Sequence, residues 1–289
     1  VLLVPGNHER GQVTHPLLAL HPNLHVFDRP RTVTVAAGGM RVAFSGFPYA
    51  ARVRARFGDL LAAARRGEGR ADVRLLCLHQ CVEGARCGPG DFTFGEGDDV
   101  VRAAELPRDV AAVLCGHVHR HQVLRPRGGP AVVYAGSVER TSFAEAGETK
   151  GVVLVDLSAA GLAGLEFRPL PARPMVVRSL RVHALPPARL RARLAEVLQA
   201  APADALVQVR LDGEPPPGAL PLLGAASLRD LAGGRSVALV WPPGAARWRR
   251  SREGAAGQPP PLGPPGGPRR PAGGDAGSSP ASAAASTGS

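Results

Sequence analysis

The sequence predicts an α/β fold: two β-sheets packed face to face with helices outside, then a small α+β module, then a tail without regular structure. Three observations carry this. Short apolar runs alternate with helically spaced segments over residues 1–171, the pattern that layers helices on sheets. A second, shorter alternation occupies residues 172–241. Beyond Trp241 the periodicity stops, and 30 of the 36 residues from 254 to 289 are Gly, Pro, Ala or Ser, too little apolar surface to drive folding. The tail is therefore assigned to residues 242–289.

Each element follows from its own pattern. Val1–Val4 (VLLV) reads as the end of a buried strand, and Leu24–Phe27, Thr32–Ala36 and Arg41–Ser45 as further strands. Ala51–Arg66 has helical spacing, with Val53, Phe57, Leu60, Leu61 and Ala64 on one face. Val73–Leu78 (VRLLCL) is a strand and Asp98–Glu105 a short helix with an acidic start. Ala111–Cys115, Gln122–Arg125, Ala131–Ala135, Val152–Leu157 and Leu162–Arg168 complete the strands of the first domain. In the second unit Met175–Val182, Ala205–Leu211 and Ser236–Val240 read as strands, with helices over Pro187–Gln199 and Leu220–Leu231.

Composition bounds the function. The 289 residues are 44% hydrophobic, enough for one large or two modest domains. No stretch of about 18 apolar residues exists, which excludes a helical membrane span. No basic-then-apolar leader is visible. The formal charge is +11, with a single lysine among 35 basic residues. A basic chain points to a polyanion such as nucleic acid. Yet residues 1–171 carry only +3, residues 172–241 +4 and residues 242–289 +4, and GC-biased coding explains the arginines as well. Cys77, Cys81, Cys87 and Cys115 read as free thiols in a reducing compartment. A zinc site from the first three lacks a fourth ligand and paired C-x-x-C spacing.

Three segments place imidazole or amide groups at strand ends, where open α/β sheets build their sites. Pro5-Gly6-Asn7-His8-Glu9 follows VLLV, His79-Gln80 follows VRLLCL, and Gly116-His117-Val118-His119 follows AAVLC. In an extended segment residues i and i+2 point the same way, so His117 and His119 are expected to face one pocket. Imidazoles with a side-chain amide suit Mn, Fe or Zn, and a pair of such metals clamps a phosphoester during hydrolysis. Each element alone is commonly structural; their order and their repeated strand-end placement make the set specific.

These motifs resemble the last three of the calcineurin-like metallophosphoesterases. Within that superfamily the chain is similar to the SbcD-type DNA repair exonuclease subunits, through Leu78–Gly84 (LHQCVEG), Cys115–Leu124 (CGHVHRHQVL), Ala135–Phe143 (AGSVERTSF) and Lys150–Leu157 (KGVVLVDL). The resemblance implies a two-sheet metallophosphoesterase sandwich over residues 1–171 and a capping module over 172–241. It implies two divalent metal ions, manganese first with iron or zinc as alternatives. Asn7, His79 and His117 resemble the ligands of the second metal and His119 a ligand of the first. His8 resembles the histidine that assists the leaving group, with Glu9 orienting it. The implied reaction is phosphodiester hydrolysis, with DNA and an SMC-like SbcC-type ATPase as partners, a homodimer possible in principle, no membrane, and a cytoplasmic, nucleoid-associated setting. The family also uses an upstream D-x-H and G-D-x-x-D. Neither occurs in these residues, so the chain is expected to lack its first β-α units and much of the first-metal set, and to be inactive by itself.

Several other residues stay open. Arg120 and Arg140 flank the histidine loops and read either as phosphate contacts or as solvated arginines. His121 continues the H-V-H-R-H alternation and reads as structural; His15, His21, His25 and His183 have no site context. The Gly-rich loop Glu83–Gly97 reads as a substrate-facing flap or a connector. Arg189, Arg191 and Arg193 line one helix, and Arg247–Arg252 surround Trp248; both read as nucleic-acid contacts or solvated faces. A general phosphodiesterase or phosphatase, and a non-catalytic DNA- or partner-binding module, remain as alternatives to the nuclease.

Overall fold

The structure, a computed structural model, describes residues 1–9, 21–183, 185–215 and 218–241. The tail expected over 242–289 and His15 lie outside them. Val1–Pro242 forms one compact unit.

The strands are β1 (Leu2–Leu3), β2 (His25–Val26), β3 (Arg31–Ala37), β4 (Met40–Gly46), β5 (Val73–Leu78), β6 (Cys81–Val82), β7 (Arg86–Cys87), β8 (Phe92–Thr93), β9 (Val100–Val101), β10 (Ala112–Cys115), β11 (Gln122–Leu124), β12 (Ala131–Tyr134), β13 (Gly151–Ser158) and β14 (Gly161–Pro169). Helix α1 spans Val53–Arg65. Six strands make one mixed sheet in the order β11-β12-β10-β5-β4-β3. The four central strands run parallel, with antiparallel β3 and β11 at the edges.

The central strands are buried on both faces, which is why they read as unbroken apolar runs. On one face Leu76, Leu78, Val113 and Tyr134 pack against Val53 and Phe57 of α1. Phe47 meets Phe57 edge to face, with ring centroids 6.1 Å apart, worth about 0.5–1.5 kcal/mol beyond area burial. On the other face lie Val42, Leu75, Cys77 and Ala112.

Where a second sheet was expected, two separate strand pairs stand instead. The parallel pair β1–β2 brings Leu2 and Val4 onto the second face, and the antiparallel hairpin β13–β14 brings Leu157 and Leu162. Among the described residues no strand joins them. A cleft of about 320 Å3 lies between these pieces and the large sheet, lined by Leu2, Leu114, Val133, Val153, Val155 and His79.

Asp98–Glu105 is not the expected helix. It contains β9, paired in parallel with β6, and a short 3-10 turn over Ala103–Glu105. The acidic pair serves another helix. The Asp99 carboxylate accepts the Arg52 N–H at 2.6 Å, and the Asp98 carbonyl accepts the Arg54 N–H at 2.9 Å. The charge pattern was that of a helix start, and the helix it starts is α1.

Residues 175–240 build strand β15 (Met175–Arg181), helix α2 (Pro187–Gln199), strand β16 (Leu206–Asp212), helix α3 (Ala225–Ala232) and strand β17 (Ser236–Val240). Both strand pairings are parallel. The module is therefore α/β rather than the α+β expected: strict strand-helix alternation calls for parallel crossovers. Leu190, Leu194 and Leu198 of α2 are buried at fourfold spacing against Val207 and Val209. Helix α3 starts later than expected. Leu220–Gly224 forms turns, with the Gly224 N–H bonded to the Pro221 carbonyl.

Candidate functional site

Three loops leave the C-terminal ends of the neighbouring strands β4, β5 and β10, and the turn after β1 meets them. Strands β5 and β10 pair with Leu78 opposite Cys115, so His79 and His117 emerge side by side. The loop after β4 joins them through Tyr49, whose N–H donates to the Pro5 carbonyl at 2.9 Å and ties in the turn after β1. The His79 and His117 rings lie 5.2 Å apart, centroid to centroid, and Tyr49 is 5.7 Å from His117 and 6.5 Å from His79.

Two glycines make room for His79. A Cβ on Gly6 would stand 2.6 Å from its Cε1, and one on Gly116 would stand 2.8 Å from its Nδ1. These separations are shorter than any side chain tolerates, so the glycines of both motifs serve the ring between them. The turn carrying His79 is itself pinned from below. The buried Tyr134 hydroxyl accepts the Val82 N–H at 2.8 Å and donates to the Gln80 carbonyl at 3.0 Å. The Gln80 side chain donates to the Ala50 carbonyl at 3.1 Å.

Electrostatics keep the two imidazoles neutral. Burial, reinforced by the charge of His117, pulls the His79 pKa down to about 4. Burial likewise lowers His117, with His119 and His8 adding to it. His8, His79, His117 and His119 are thus close enough for their charges to interact. His8 and Glu9 are exposed, and Asn7 is half-buried. The Glu9 carboxylate folds back to accept the Gly6 N–H, which closes the turn.

The segment after β10 is not extended as the i, i+2 argument assumed. His117 takes φ +78°, an uncommon conformation for a residue with a Cβ, of the kind found at functional sites. His117 turns toward Tyr49 and His79, whereas the His119 Nδ1 faces Glu145 at 3.0 Å and Thr141 at 3.2 Å.

Arg120 is engaged within the chain. Its Nε donates to Glu148 at 3.0 Å, and it also binds Asp91 and the Gly88 carbonyl. Arg140 donates to the carbonyls of Glu148 and Arg173. The His121 Nδ1 lies 2.9 Å from the Tyr134 carbonyl and its ring stacks on Phe167. Tyr49, Tyr134, Glu145 and Lys150 are site residues that the motifs did not reveal. Lys150 had one available signal, as the single lysine of an arginine-rich chain.

The donor chemistry suits a borderline divalent cation: neutral imidazole nitrogens with a nearby side-chain amide. The number falls short. Among the described residues no three His, Cys, Asp or Glu side chains form a group that could hold an ion. The four cysteines are free thiols. No helix among the described residues is long and apolar enough to cross a membrane.

No family model matches the chain. Over 85 residues, 29% of its length, it is 36% identical to the SbcD component of the nuclease SbcCD of Bacillus subtilis (strain 168). The matched stretch spans 22% of that relative.

Proposed function

We propose that the chain carries part of the centre of a metal-dependent phosphodiesterase acting on DNA, as a nuclease subunit. The observation that supports this best is the meeting of His79 and His117, both kept neutral by burial, with the Asn7–His8 turn at one end of a parallel sheet. The partial similarity to a nuclease component points the same way.

In this reading Asn7, His79 and His117 hold one divalent cation, manganese or else iron or zinc, and His119 serves a second. Bound there, the cations supply Lewis-acid activation of the phosphodiester. The chain's own residues do the remaining work. Burial leaves the His79 and His117 rings with free lone pairs at neutral pH. Tyr49 packs beside both. His8, exposed on the rim, donates a proton to the leaving oxygen. DNA and an SMC-like ATPase belong to the reading as partners, and a homodimer is compatible with it.

The donors present are neutral, and stabilising the charge of two cations calls for carboxylates in addition. The 289 residues alone are therefore expected to bind one ion weakly and to leave DNA intact. Manganese-dependent cleavage of linear duplex DNA by these residues alone would overturn that expectation. The nuclease reading is tested with the full-length protein, by comparing linear duplex DNA with bis(4-nitrophenyl) phosphate in the presence of manganese. Preferential cleavage of DNA is expected, lost in His79→Ala and His117→Ala. Cleavage of the small ester alone would favour a general phosphodiesterase, and no cleavage of either a binding module.

A further inference from the structure

Lys150 is the one lysine among 35 basic residues, and its side chain is 0% exposed. An ammonium has three donors, and all three are used. Nζ lies 2.8 Å from Glu145 Oε2, 2.9 Å from Glu148 Oε2 and 2.9 Å from the His119 carbonyl. A planar guanidinium cannot aim three bonds from one atom, which accounts for a lysine here.

Glu145 takes up the other end of the same histidine. Its Oε1 lies 3.0 Å from His119 Nδ1 and accepts the Thr141 hydroxyl at 2.8 Å; its Oε2 accepts the Thr141 N–H at 3.3 Å. A carboxylate held against an ammonium can only accept, so the hydrogen between it and the ring belongs to Nδ1. The backbone of His119 is fixed as well, since its carbonyl also accepts the Ser137 N–H at 3.0 Å. Glu148 extends the network to Arg120, at 3.0 Å from its Nε, and Arg120 in turn binds Asp91. The partners are buried, Glu145 being 11% exposed, while the imidazole they end on is 45% exposed. A network whose sole purpose was to fill the interior would not terminate on an open ring.

We propose that Glu145 and Lys150 are positioning residues for His119: they hold its imidazole as the Nδ1–H tautomer and leave Nε2 as the ring's acceptor. That this acceptor meets a metal rests on the proposed nuclease function; the tautomer does not. Partners of this kind typically change metal affinity by about 10–100-fold.

The test uses the 289-residue chain labelled with 15N-histidine, read by long-range 1H–15N correlation at neutral pH without metal, in wild type, Glu145→Ala and Glu145→Gln. Wild-type His119 is expected as the Nδ1–H tautomer. Glu145→Ala should shift the ring toward Nε2–H, and Glu145→Gln, which keeps an acceptor, should restore it. An Nε2–H ring in the wild type overturns the proposal even if no variant folds, and so does an unchanged tautomer in a folded Glu145→Ala chain. Titration with Zn2+ then separates the two claims. A zinc shift at the His119 ring that calls for about 10–100-fold more zinc in Glu145→Ala supports both. A tautomer as expected, with no zinc shift at any site histidine in the wild type, overturns the metal reading and leaves the positioning role standing.

Discussion

The ring of His79 sits between two glycine α-carbons, and that closeness has a measurable consequence. In Gly116→Ala the new Cβ would stand 2.8 Å from Nδ1, so the ring must move. Overpacking of this kind costs about 1–3 kcal/mol. The His79 ring signals should shift together with a lower denaturation midpoint; unchanged signals would show that the glycine is dispensable. A second expectation concerns the thiols. Burial pushes Cys77 and Cys81 up to about 12, and it raises the half-buried Cys87 too. In the folded chain at pH 8, iodoacetamide should modify Cys87 first, read by mass spectrometry, while Cys77 and Cys81 wait for unfolding. Equal rates would contradict the packing. At this scale the strand-end histidines were legible because each motif is local. Tyr49, Tyr134 and Glu145 were not, because they reach the site across 30 or more residues, or, like Glu145, act through a partner 26 positions away.

Among the elements, α1 owes its start to a distant pair of acids. Asp99 caps it with a side-chain oxygen and Asp98 with a backbone carbonyl. Asp99→Ala should therefore destabilise the chain by about 0.5–2 kcal/mol, whereas Asp98→Ala should change stability by less than about 0.5 kcal/mol. Urea denaturation of the two variants checks this, and equal losses would remove the assignment. Tyr134→Phe tests the turn under His79. It leaves the Val82 N–H and Gln80 carbonyl without their hydroxyl partner, at about 1–3 kcal/mol, and should also disturb the His79 ring signal. Strands β5, β10, β12 and β16 were readable as apolar runs, and α2 from its leucine spacing. The segment 98–105 misled because an acidic start marks a helix end without saying which helix. The small pairings of β6 with β9 and β7 with β8 are two residues long, too short to leave a periodicity.

Taken whole, the molecule places its chemistry where the four parallel central strands all point. That placement was legible, since motifs directly following apolar runs can only emerge at the strands' C-terminal ends. The second layer was less so: two sheets were expected, and the structure has one six-stranded sheet faced by two separate strand pairs. Alternation reveals that a strand is present and not which strand it joins. The net charge of +11 turned out to say little about the site, where arginines such as Arg120 are bound to carboxylates and the one lysine is buried. In the proposed reading the histidines at this end of the sheet form a cation site. It is tested most directly by adding Zn2+ to the 15N-histidine-labelled chain and following the ring nitrogens. His79 and His117 should shift first and together, with His21, His25, His121 and His183 unmoved. Shifts scattered over all the histidines, or absent at His79 and His117, would contradict it.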